Sequence, residues 1–195
     1  EKVSEETTIR EELRTWLSRT PIHGSSPDDD SDEVVVRNFV EEHLATTSKM
    51  HESALQHFTD IGQEDIEKIG ARFSASLEGI REFLLPDGRV DRARAGLLFI
   101  ESYRELPLLA WPRALVDSVV EMEQSMLLFR THHARMVERM IGRRVGTGGS
   151  SGVDYLDATT KMRIFPDLWA VRTILLKRDE LPPVKQPEAY GFREK

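Results

Sequence analysis

The stretch Phe129-Arg-Thr-His-His-Ala-Arg-Met-Val-Glu-Arg-Met-Ile-Gly-Arg-Arg-Val-Gly-Thr-Gly-Gly-Ser-Ser-Gly152 decides how the rest of the chain is read. It joins a patterned helix to a glycine-rich loop. Apolar residues recur upstream and through it at Val119, Met122, Met126, Phe129, Met136 and Met140, in steps of three, four and seven. Such spacing predicts one buried helix face. His133 falls four residues after Phe129 and three before Met136, inside that seam. A buried imidazole needs a partner for at least one ring nitrogen, because an unpaired polar group in the core costs about 1–3 kcal/mol. A neighbouring carbonyl meets that need, and so does an iron or zinc ion. His132 points about 100° away, towards solvent or the helix rim. Four glycines between Gly146 and Gly152 permit positive φ and close backbone approach to a ligand. The same composition also describes a plain flexible linker.

Outward from this stretch the pattern is helical throughout. Residues 4–20 read as a helix capped by Ser4 and ended by Pro21, with Ile9, Leu13, Trp16 and Leu17 as its stripe. Residues 23–33 (HGSSPDDDSDE) read as a solvated acidic connector, since the carboxylates lack the alternating spacing of a calcium loop. Residues 34–59 and 63–85 predict two long helices in an antiparallel hairpin. His43, His51 and His57 ride on the first, without the i, i+4 spacing of a helical zinc site, and are expected to face solvent or a partner. Residues 90–104 have a wide apolar face that suits a central helix. Pro112 stands where the long helix begins. Further short helices are expected at 153–158 and 167–176, and the Leu-Pro-Pro-Val-Lys-Gln-Pro run implies an extended tail. No internal repeat or alternating strand pattern is visible. The expectation is an all-α chain with a hairpin region at 1–85, a core at 90–176 and a tail at 177–195.

Composition narrows the function classes. Cysteine is absent, which excludes disulfides and thiolate ligation and fits a reducing cytoplasm. A net charge of −7 argues against general nucleic-acid binding. No run approaches the roughly 20 apolar residues of a membrane span.

His133 with the following Arg-Met-Val-Glu-Arg-Met-Ile-Gly, then Gly-Thr-Gly-Gly-Ser-Ser-Gly and Tyr155-Leu156, resembles the C-terminal core of the tryptophan 2,3-dioxygenase family. The likeness continues through Phe165-Pro-Asp-Leu-Trp169, through Leu97-Leu-Phe-Ile-Glu-Ser-Tyr-Arg-Glu-Leu-Pro107, and more weakly through Trp16-Leu-Ser-Arg-Thr-Pro21. It covers most of residues 90–175. A histidine followed at this distance by that heptapeptide is far more specific than a lone glycine loop.

The resemblance implies a helical bundle of the tryptophan/indoleamine dioxygenase type with a long central haem-ligating helix. His133 becomes the proximal axial ligand of haem b, with Phe129 and Tyr155 beside the haem. Thr147, flanked by Gly146 and Gly148, becomes the binding element for the amino-acid end of L-tryptophan. Arg135, Arg139, Arg143 and Arg144 crowd the helix end, where such residues usually form a solvated face that stabilises the helix C-terminus, and one or two would meet haem propionates. The implied reaction inserts O₂ across the indole C2–C3 bond to give N-formylkynurenine. Phe129 stands where many members carry tryptophan, and Thr131 where an aromatic is common. The family's distal residues come from an N-terminal region without counterpart here, so that half is expected from a missing segment or a second chain. A homotetramer is implied as well. Two other readings stand beside this one: a haem mono-oxygenase of another indole, and a non-catalytic haem-binding or helical interaction protein.

Overall fold

The computed structural model describes residues 7–143 and 152–191, and in them the chain is helical with no strand. Seven α-helices follow in order: α1 Ile9–Leu17, α2 Asp32–Asp60, α3 Ile66–Leu84, α4 Arg92–Ser102, α5 Ala110–Ile141, α6 Val153–Thr159 and α7 Pro166–Ala170. Residues 1–113 with 170–195 make one compact unit, and 114–169 make a second.

In the first unit α4 is the centre. Ala93 and every residue from Ala95 to Glu101 are buried, so this helix is covered all round rather than along one face. Its approach to α1 depends on Gly96, where an added Cβ would lie 2.3 Å from the Leu17 carbonyl oxygen. Helix α1 begins later than the sequence pattern suggests. Its cap is Thr8, while the expected cap Ser4 lies outside the described residues: the Thr8 hydroxyl accepts from the Glu11 N–H while Glu11 Oε2 accepts from the Thr8 N–H at 2.7 Å. That reciprocal pair satisfies two orphan donors at once. Helices α2 and α3 pack against each other across the short turn at 61–65, which is the expected hairpin.

Other expectations for this unit are corrected. The 23–33 connector is not simply solvated: His23, Ser25 and Asp32 are buried. Arg92, at the start of α4, reaches across to Asp32 with Nε at 2.9 Å and Nη2 at 3.1 Å, and Ser25 donates to the same carboxylate. A two-pronged guanidinium–carboxylate contact draws the acidic loop inward. His43 likewise does not face solvent. It is 1% exposed, and its Nε2 meets the Ile174 carbonyl at 2.9 Å. His51 is half-buried and stacked on Phe73, while His57 is exposed. The expected extended tail is tied down too over residues 178–191. Short 3-10 turns form at Arg178–Glu180 and Pro187–Tyr190, and Tyr190 is buried.

Candidate functional site

The second unit carries the residues singled out by the sequence. Helix α5 has 32 residues, about 48 Å at 1.5 Å per residue. Its covered positions run Val116, Val120, Glu123 and Ala134. The Met/Phe seam is therefore not the buried face. Met122, Met126, Phe129, Met136 and Met140 are all exposed, Phe129 by 64% and Met140 by 75%. A periodic apolar line identifies a face that needs covering; it does not say that the covering atoms belong to the same chain.

His133 lies in this open stripe, half-exposed, with its ring 5.8 Å from that of Phe129 and tilted 28° to it. Neither ring nitrogen has a hydrogen-bond partner among the described residues. His132 is exposed, as expected. His132, Arg135, Met136, Arg139 and Met140 line a hollow of roughly 500 Å³ along one flank of the helix.

The chain returning from the glycine-rich loop is clasped to α5 by charge. Arg143 contacts Asp154 at 2.6 Å and Glu138 at 3.1 Å. Arg135 pairs with Glu138 at 2.6 Å and with Asp157, whose hydrogen bond holds the guanidinium above the ordinary arginine range. Arg130 donates to the Met162 carbonyl at 3.0 Å. Further down, the carboxylate of Glu123 accepts from the N–H groups of Ile164 and Phe165 and from the Trp169 indole N–H. Arg163 lies over the Trp169 ring at 3.9 Å. Arg130, Arg135 and Arg143 are thus engaged by protein groups. Arg139 has no partner among the described residues.

Tyr155, on α6, is 56% exposed. Gly146, Thr147 and Gly148 lie outside the described residues, as does Arg144. Gly152 closes the heptapeptide with φ 59° and ψ −122°, a conformation suited to glycine. Glu123 was not singled out by the sequence, although the spacing Val116, Val120, Glu123 places the carboxylate on the covered face.

These elements define an all-α protein of the helical dioxygenase type, with a lone histidine in an apolar stripe. A family model described as tryptophan 2,3-dioxygenase matches residues 1–175. The chain belongs to the tryptophan 2,3-dioxygenase family. It is 46% identical to tryptophan 2,3-dioxygenase 2 of Ralstonia nicotianae over 93% of this chain and 52% of that protein. It is 47% identical to a tryptophan 2,3-dioxygenase-like protein of Xanthomonas campestris pv. campestris, over 92% of this chain and 69% of the relative. With tryptophan 2,3-dioxygenase of Sorangium cellulosum the identity is 44%, over 95% of this chain and 47% of the relative. The chain thus spans from about half to about two thirds of the length of these relatives. Among the described residues no helix is long and apolar enough to cross a membrane.

Proposed function

We propose that this chain supplies the proximal, haem-holding part of a dioxygenase that opens the indole ring of L-tryptophan to N-formylkynurenine. The observation that carries this reading is the exposed apolar stripe of α5 with His133 set in it. The donor set fits a porphyrin better than a hydrated ion. One imidazole stands among thioethers and a phenyl ring, and no group of three or more metal-binding side chains occurs among the described residues.

His133 Nε2 would hold the iron, with Nδ1–H free to donate to an acceptor that fixes the ring. Phe129, whose ring lies 5.8 Å from that of His133, would stand beside the haem. Tyr155 would flank the haem. Bound haem would supply O₂ activation, while the protein orients the indole and keeps the site dry. The resemblance supports Thr147 as the hydroxyl that binds the amino-acid end of tryptophan, with Gly146 and Gly148 allowing the backbone to approach. The share of the relatives left unmatched supports a further segment, in the same polypeptide or another chain, that completes the distal pocket. A homo-oligomer in the cytoplasm accords with the family resemblance.

The test is product analysis. The haem-loaded protein, joined by the segment that completes the distal pocket and given L-tryptophan and O₂, yields N-formylkynurenine, and His133→Ala abolishes both the product and the native Soret spectrum. Conversion of methylindoles without turnover of tryptophan would replace this reading with that of another indole oxygenase.

A further inference from the structure

The last described segment, beyond the residue at which the family match ends, is strapped to the rest of the first unit by polar anchors of unequal kind. At its root the Ile174 carbonyl meets His43 Nε2 at 2.9 Å. The Tyr103 hydroxyl donates to the Pro182 carbonyl at 2.8 Å. Lys185 Nζ pairs with Glu42 at 2.7 Å. Near its end the Tyr190 hydroxyl donates to the Pro21 carbonyl at 2.8 Å and accepts from the Gly24 N–H at 3.0 Å. Between these, the Lys185 backbone N–H donates to His23 Nδ1 at 3.2 Å.

His23 is the unusual member. Its backbone is left-handed, with φ 51°, a region that costs most side chains energy and that Asn, Asp and His enter more readily than others. Its ring is 2% exposed and edge-on to Phe39 and Phe99, each 5.5 Å away, with Tyr103 at 6.3 Å. An Nδ1 that accepts must carry no proton, so the proton of the neutral ring sits on Nε2. That nitrogen is buried without a hydrogen-bond partner. Protonation would place a second N–H at Nδ1, donor against donor with the Lys185 N–H. The contact that closes the strap would become one that opens it.

We propose that His23 is a proton-operated latch: in mildly acidic solution it releases residues 177–191 from the rest of the first unit, with Ile174 as the hinge. The groups facing the ring agree with this direction. Burial depresses its pKa below the ordinary histidine value, the Lys185 ammonium on the strap adds to that, and Glu42 on α2 opposes both. From α4 the facing polar group is the Tyr103 phenol, which burial holds un-ionised up to about 12. Asp32 and Arg92, at the far end of the connector, neutralise each other. With its folded pKa depressed, His23 stabilises the closed strap above the unfolded value, near 6.5. That contribution fades as pH falls through the folded value, and the ratio of closed to open drops up to tenfold per pH unit. His43 behaves differently, because protonation leaves its Nε2–H able to donate to Ile174. The hinge therefore stays made when the latch opens.

Fluorotyrosine labelling gives three ¹⁹F resonances, and Tyr190→Phe identifies the one from Tyr190. Between pH 7.5 and 5.0 that resonance moves from a buried to a solvent-like position, the Tyr103 resonance moves with it as the hydroxyl loses the Pro182 carbonyl, and that of Tyr155 keeps its place. His23→Asn tolerates the left-handed backbone and offers an acceptor that does not titrate, so the Tyr190 response becomes flat over the same range. If this variant does not fold, ring ¹⁵N shifts in the native protein serve instead: the His23 titration and the Tyr190 transition share one midpoint. A Tyr190 resonance indifferent to pH, a response that survives in His23→Asn, or two separate midpoints would each overturn the latch.

Discussion

Replacing Glu123 gives the sharpest energetic test of the second unit. Its carboxylate is 1% exposed and collects three donors, the N–H groups of Ile164 and Phe165 and the indole N–H of Trp169. Glu123→Ala leaves all three without an acceptor and opens a cavity beneath them. A buried unsatisfied donor costs about 1–3 kcal/mol, and a lost bond to a charged group falls in the same range. Two of the donors are only partly buried, so water recovers some of the loss; the net is about 3–5 kcal/mol. Glu123→Gln keeps one acceptor but turns an NH₂ towards a donor, and costs about 2 kcal/mol. Trp169→Phe removes one donor and leaves the carboxylate otherwise satisfied, for about 1 kcal/mol. In a chain of this size each kcal/mol lowers Tm by about 2–4 °C. The three variants are therefore ordered Ala, Gln, Phe from least to most stable, in melts followed by circular dichroism and in urea titrations. A Glu123→Ala protein within about 0.5 kcal/mol of native would refute the reasoning, since no buried carboxylate with three donors can be removed so cheaply.

Three further outcomes follow from the geometry. Gly96→Ala drives a methyl to within 2.3 Å of the Leu17 carbonyl and separates α1 from α4, lowering stability by at least about 2 kcal/mol in chemical denaturation. Burial depresses His43 to about 4, the Ile174 bond opposing it only in part. The fold gains from keeping this ring neutral: the gain is full above pH 6.5, shrinks below it, and is lost once pH falls through about 4. The total is about 3 kcal/mol, read from denaturation midpoints between pH 7 and 4. Asp32→Asn weakens the grip of Arg92 on the acidic connector and loosens residues 23–33, seen as faster amide exchange there while the α2–α3 hairpin keeps its protection.

Much of the helical order was legible because apolar spacing reports helix faces directly, and α2 through α6 fall close to where that spacing puts them. The burial of individual polar groups was harder to see. His43 had a readable signal: Val36, Phe39, Val40, His43, Leu44 and Thr47 repeat at helical intervals, and all six are buried. His23 had none, because its burial comes from α2, α4 and the tail converging on a loop rich in Asp and Ser. The α5 stripe shows the opposite limit. Its period was evident, yet period alone cannot separate a face packed within the chain from one left open for a cofactor or partner. Covered and open lines run side by side on that helix, with Val120 and Glu123 on one and Met122 and Met126 on the other. The seam spacing and the resemblance both singled out His133, and the fold then set it in an open stripe rather than a packed core.

The most direct measurement is the axial ligation of ferrous haem in the loaded protein. Resonance Raman spectroscopy should detect an iron–histidine stretch that vanishes in His133→Ala and returns, shifted, when free imidazole fills the space. A stretch that persists unchanged in His133→Ala would mean that the iron is held by another residue, and the account of α5 as the haem-ligating helix would fail.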